Sequence, residues 1–207
     1  LEAYRLLCAN FLASKKRYHE QQQVNLEKIL VTNADPKEGK STVVANLARV
    51  LANQGQKVLL VESDLRQPIL TEKFGLDGHT GIGNLLNDQR SIDDVELEQM
   101  ICTTDQLGLR MVDSGPKVEH PAALLASPSV EKLLEYVKDQ AEVTLLDTPA
   151  VLGVADVTVL APKVDGIIMV VWQSISKREV VSRALQQLYA SQARVLGLVF
   201  LEKSAKD

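Results

Sequence analysis

Eleven residues, Thr32-Asn33-Ala34-Asp35-Pro36-Lys37-Glu38-Gly39-Lys40-Ser41-Thr42, constrain this chain more than any others. A short apolar run, Ile29-Leu30-Val31, precedes them, and an amphipathic segment, Val43 to Leu51, follows. The order predicts strand, tight loop and helix, the context a phosphate-cradling loop requires. The pattern G-x-x-x-x-G-K-[ST] is met at Gly39-Lys40-Ser41, with Ala34 standing where the first glycine would be. Backbone N–H groups at the start of the helix, assisted by its dipole, would face a phosphate. Lys40 would neutralise β/γ oxygens and the Ser41 hydroxyl would reach Mg²⁺. The structural alternative is a surface turn that carries a lysine and caps a helix.

Several function classes are set aside by composition. A length of 207 residues fits one α/β domain, or one domain with an appended terminal helix. With 45% hydrophobic but 4% aromatic residues, the core is expected to be aliphatic. A net charge of -4 supplies no electrostatic footprint for nucleic acid. Cys8 and Cys102 are far apart and read as free thiols of a reducing compartment. No apolar run is long enough to span a bilayer, and no secretory signal opens the chain. Leu1 in place of an initiator Met suggests a piece cut from a longer protein, which is compatible with a membrane-anchored parent.

Along the chain, residues 1–23 read as a polar helix with an apolar stripe at Tyr4, Leu7, Phe11 and Leu12, free to pack on this domain or on a neighbouring subunit. Residues 24–207 then alternate strand and helix. Val58 to Val61 is a buried-strand run that discharges into Glu62-Ser63-Asp64-Leu65-Arg66, placing two carboxylates where α/β sheets hold ligands. Residues 69–106 are expected to be loop-rich with short helices, including a turn at Gly81-Ile82-Gly83 and an exposed acidic helix near Asp93 to Glu98. Val143 to Leu146 is a strand ending in Asp147, the arrangement that holds Mg²⁺ directly or through water. Asp156 is expected to cap the helix that follows. Strands at Gly166 to Val171 and Val195 to Phe200 flank a helix near 177–191. The pattern predicts an α/β fold, a mostly parallel sheet flanked by helices in three layers.

Taken together, these motifs resemble the bacterial tyrosine kinase domains of capsule and exopolysaccharide synthesis. Those domains belong to the deviant Walker P-loop class that also holds the Min and Par ATPases. Glu2-Ala3-Tyr4-Arg5 resembles the start of the family's E-x-x-R-x-x-R oligomerisation helix. Pro36 to Thr42 resembles its P-G-E-G-K-S-T loop, Val58 to Arg66 its second acidic motif, and Leu145 to Pro149 its Walker B, with Asp156 at the usual downstream aspartate. His120 to Leu125 is similar to the family's N-P-x-x-L-L stretch. Asp35 stands where the Min and Par branch carries an extra lysine, which favours the kinase branch.

The resemblance implies an ATP-dependent protein-tyrosine autokinase that regulates polysaccharide polymerisation and export. It implies ATP and Mg²⁺ held by Asp35, Pro36, Lys37, Glu38, Gly39, Lys40, Ser41 and Thr42. Lys40, Glu62 and Asp64 would be catalytic; Ser41, Asp64 and Asp147 would serve the metal. It further implies a cytoplasmic place at the inner face of the membrane, beside a membrane polysaccharide co-polymerase that activates the kinase, and self-association through the helix of Glu2 and Arg5. No nucleic acid partner is implied.

Four departures accompany it. Glu62 is one methylene longer than the family's aspartate, Cys8 replaces the second arginine of the first helix, Leu201 replaces an adenine-contacting asparagine, and Lys37 replaces a loop glycine. No tyrosine cluster follows the last strand; Tyr4, Tyr18, Tyr136 and Tyr189 lie in expected helices, so a substrate tail is expected to be trimmed, lost or carried on another chain. Two alternatives therefore stand beside the kinase: a nucleotide-binding ATPase switch, and a catalytically impaired relative acting as an assembly partner in polysaccharide secretion.

Overall fold

Alternating aliphatic side chains within single strands divide the interior into two cores. The computed structural model describes residues 2–36, 39–76, 80–86 and 93–202. Seven strands are described: β1 (Lys28–Asn33), β2 (Val58–Glu62), β3 (Ile101–Thr103), β4 (Leu109–Val112), β5 (Val143–Asp147), β6 (Gly166–Trp172) and β7 (Val195–Leu201). They form one sheet in the order β3-β4-β2-β5-β1-β6-β7, parallel throughout except for antiparallel β3. Ile29, Val31, Val58 and Leu60 point to one face, Leu30, Leu59 and Val61 to the other. All are buried, because helices cover both faces and leave these strands no wet side.

On the first face lie α1 (Glu2–Gln22) and α2 (Lys40–Asn53). Helix α2 buries Val43, Val44, Leu47 and Leu51 against the sheet. Cys8 and Phe11 seat α1 in the same core, with Tyr4, Leu7 and Leu12 packed partly against it. The stripe read from the sequence therefore packs on this domain. Burying even a few such apolar side chains is worth several kcal/mol, at about 1.5–3 kcal/mol each. The opposite face carries α4 (Asp94–Gln99), α5 (Pro121–Leu125), α6 (Pro128–Tyr136), α7 (Asp156–Leu160) and α8 (Arg178–Ala190), through residues such as Leu97, Leu133, Leu160 and Leu188. A one-turn helix, α3 (Leu70–Lys73), lies between β2 and α4 in sequence.

The loop-rich reading of residues 69–106 needs one correction. Ile101–Thr103 is a strand, paired antiparallel to β4. Three residues carry too little periodicity to announce a strand; the ladder to β4 supplies it. The acidic helix is present, with Asp93 and Glu96 forming a reciprocal capping box at its start. Gly81 is more than a turn residue, since a Cβ there would stand 2.2 Å from the Asp113 carbonyl oxygen.

Candidate functional site

The carboxyl ends of β1, β5 and β2 lie side by side, and the phosphate-loop residues meet the strand-end acids there. Lys37 and Glu38 fall outside the described residues. The strand ends are fixed by contacts beyond the ladder. Thr32 Oγ1 donates to the Pro149 carbonyl (2.8 Å), Thr148 Oγ1 to the Val31 carbonyl (2.9 Å), and the Ser63 N–H to the Asp147 carbonyl (2.8 Å). These bonds carry the sheet's register into its loops, so the acids occupy set positions.

Gly39 enters α2 with φ 77°, a left-handed backbone open to glycine at no steric cost. A Cβ there would also meet Leu201 Cδ1 at 2.9 Å, so the end of β7 closes over the loop. Lys40 is nearly enclosed, and its Nζ donates to Asp147 Oδ1. The same ammonium lies 3.6 Å from Asp64 Oδ2 and 3.2 Å from the Ser41 hydroxyl. Asp35 is exposed, and its carbonyl accepts from the Asn33 side-chain amide. Pro36, Gly39, Lys40, Ser41 and Thr42 line a cleft of about 380 Å³. Asp64, Pro149 and Trp172 line it as well.

Glu62 and Asp147 are fully buried register partners on β2 and β5. Both stand one residue beyond the strands read from sequence, because their ladder continues to the acids themselves. Glu62 Oε2 accepts from the Leu70 N–H at 2.6 Å, whereas Oε1 and Asp147 Oδ2 are buried with no hydrogen-bond partner. Burial, then the Asp147 charge, pushes the Glu62 carboxyl up to about 8, with Leu70 and Lys40 opposing. Burial likewise raises Asp147, against the pull of Lys40 and Ser41. Asp64 Oδ1 accepts from the Gln67 N–H at 3.1 Å, which orients its carboxylate in the cleft.

Asp156 differs from expectation. The cap position is Ala155 and no side chain caps the helix. Instead, the buried Asp156 carboxylate accepts from Arg66 Nε and a terminal nitrogen, each at 2.9 Å, tying the β2 loop to α7. A forked guanidinium matches two carboxylate oxygens, a stronger arrangement than a single bond. Cys8, where the resemblance places an arginine, is enclosed between α1 and α2, with Sγ 3.4 Å from Gln54 Oε1. Glu2 and Arg5 are exposed and 3.3 Å apart.

Trp172 and Lys73 are among the cleft residues that escape a reading of the sequence by motif. Trp172 ends β6, and an aromatic closing an aliphatic parallel strand is the available signal. Lys73 reaches the cleft from α3, and nothing in its local sequence points there. Ser41, Asp64 and Asp147 offer oxygen donors of the kind magnesium takes. Among the described residues, no three His, Cys, Asp or Glu side chains converge to hold an ion by themselves.

A parallel α/β sheet with a lysine loop at its carboxyl edge, facing two strand-end acids, defines a P-loop phosphate-binding domain. The AAA domain family matches residues 26–193. Tyrosine-protein kinase YwqD of Bacillus subtilis is 33% identical over 174 residues, covering 84% of this chain and 71% of YwqD. The putative tyrosine-protein kinase EpsB of Ralstonia nicotianae is 34% identical over 172 residues, 83% of this chain but 22% of EpsB. Among solved structures, the chimerical protein CapA2B2 superposes with a TM-score of 0.85 at 25% identity, covering 98% of this chain and 84% of that one. The VpsO kinase domain gives 0.80 at 29% identity, with 97% and 96% covered. The chain belongs to the AAA domain family, within its bacterial tyrosine-protein kinases.

Proposed function

We propose that this domain is an ATP-dependent protein-tyrosine autokinase that regulates capsule or exopolysaccharide polymerisation and export. The observation that carries the reading is Lys40 held between Asp147 and Asp64 at the carboxyl edge of the sheet. The phosphates of ATP would lie on the loop amides and on Lys40, which exchanges its carboxylates for β/γ oxygens as they arrive. Ser41 and Asp147, with Asp64, would hold Mg²⁺, whose charge neutralises the phosphate oxygens. Asp64, fixed by the Gln67 N–H, would orient and deprotonate the incoming tyrosine hydroxyl. Transfer then depends on in-line placement and charge neutralisation, both of which these groups supply.

The acceptor tyrosine would come from a neighbouring copy, with assembly aided by the exposed Glu2 and Arg5 of α1. No helix of the described residues is long and apolar enough to cross a membrane. A place at the inner membrane face would come through a co-polymerase, fused or separate, or through a membrane segment of a longer protein. One observation favours the switch reading. Glu62 is engaged with the α3 backbone, so it serves as a strut between the acids and that helix. Incubation with radiolabelled ATP, Mg²⁺ and a tyrosine-rich tail peptide separates the readings. Phosphotyrosine supports the kinase and free phosphate alone the switch; bound ATP with neither product identifies an impaired assembly partner.

A further inference from the structure

Helix α3 brings to the cleft a cation that the loop motif does not contain. Lys73, its last residue, is exposed, and its Nζ donates to Thr42 Oγ1 at 3.0 Å. That partner is a neutral hydroxyl, and among the described residues no carboxylate pairs with this ammonium. Thr42 follows Ser41 in the first turn of α2, on the side of a phosphate loop where backbone N–H groups meet α- and β-phosphates. Lys40, by contrast, is turned towards the strand-end acids. The two ammonium groups thus have different partners in one cleft, which both line.

The position of Lys73 is built. Helix α3 is tied at its start by the Leu70 N–H to Glu62, and by Thr71 Oγ1 to buried Asp113 at 2.9 Å. At its end the Phe74 ring lies under the Arg49 guanidinium of α2, 4.7 Å from its centroid. Three anchors around a one-turn helix hold the backbone of its lysine beside the loop, so less backbone entropy is lost when the site is filled.

We propose that Lys73 is a second cation of the polyphosphate site, gripping the α/β end of a nucleoside di- or triphosphate while Lys40 serves the β/γ end. This assignment rests on the nucleotide-binding reading above. It also gives the Glu62–Leu70 bond a purpose, since that bond sets the helix that delivers Lys73.

The test is calorimetric titration of the whole chain with Mg·ADP and, separately, with inorganic pyrophosphate, for wild type, Lys73→Gln and Lys73→Arg. Trp172, the one tryptophan of the sequence, lines the same cleft and gives an independent fluorescence readout. Lys73→Gln is expected to weaken both ligands by a common factor of about 5- to 10-fold, the scale of a solvent-accessible charge-assisted contact. Lys73→Arg should recover most of that loss, and the gap should shrink as salt rises. Unchanged ADP affinity in Lys73→Gln, with wild type binding normally, overturns the assignment of Lys73 and leaves the nucleotide reading standing. Loss of ADP affinity without loss of pyrophosphate affinity also overturns it, because the contact would then be to the nucleoside. Wild type binding neither ligand overturns both readings together.

Discussion

Replacing Glu62 by glutamine should change how stability depends on pH in the nucleotide-free protein. Glu62 is fully buried, and its carboxyl is pushed up to about 8 from an ordinary 4.5, first by burial and then by the Asp147 charge. The folded chain therefore holds a proton on Glu62 across a window in which the unfolded chain has released it. The stability this confers is complete below the unfolded value and is lost as pH rises towards the folded one. Inside the window the slope is about 1.4 kcal/mol per pH unit for one proton, so wild type should lose about 3 kcal/mol between roughly pH 5.5 and 7.5. In Glu62→Gln the side chain is neutral throughout, and its carbonyl oxygen can still accept from the Leu70 N–H, so this component should vanish. Asp147, also raised by burial, contributes a slope of the same sign in both proteins, and comparing the two isolates the part owed to Glu62. Urea titrations at closely spaced pH values give the two stability curves. If they run parallel across the window, Glu62 is ionised in the folded protein and the reasoning fails.

Two further outcomes follow from the same ion network. Lys40→Met removes the ammonium from a fully buried Asp147 and should cost about 3 kcal/mol near pH 8, a loss that shrinks on acidification as Asp147 takes up a proton. Urea unfolding at alkaline and acidic pH checks it, and equal losses at both would count against it. Arg66→Ala strands the buried Asp156; because the arginine side chain is 40% exposed and part of its field is screened, a loss of about 2 kcal/mol is expected. Asp156→Asn combined with Arg66→Ala should restore part of it, as a double-mutant cycle would read.

Much of the phosphate site is legible in the sequence. Gly39-Lys40-Ser41 after an apolar strand, and strands ending at Glu62 and Asp147, announce the loop, its acids and their common edge. These features are local: a tight loop between strand and helix sets its own chemistry within a few residues, and buried parallel strands show themselves as aliphatic runs. Other features are not legible. Asp156 reads as a cap because an aspartate before a helix usually is one; its partner Arg66 is 90 residues away along the chain. Strand β3 exists through pairing with β4 and is too short for any periodicity of its own.

Lys73 sits in a polar run whose sequence is silent about the loop 31 residues earlier, and packing of α3 alone brings the two together. Short-range pattern and burial were enough to specify the layered sheet, the loop at Gly39 to Thr42 and the acids that face it. What each side chain touches came from the folded chain: Lys40 bridges Asp147 and Asp64, Glu62 braces α3, and Cys8 of α1 is enclosed against the end of α2. Such contacts depend on long-range register and packing and, for the charged groups, on the cost of leaving a buried charge unpartnered, none of which a local stretch of residues can express.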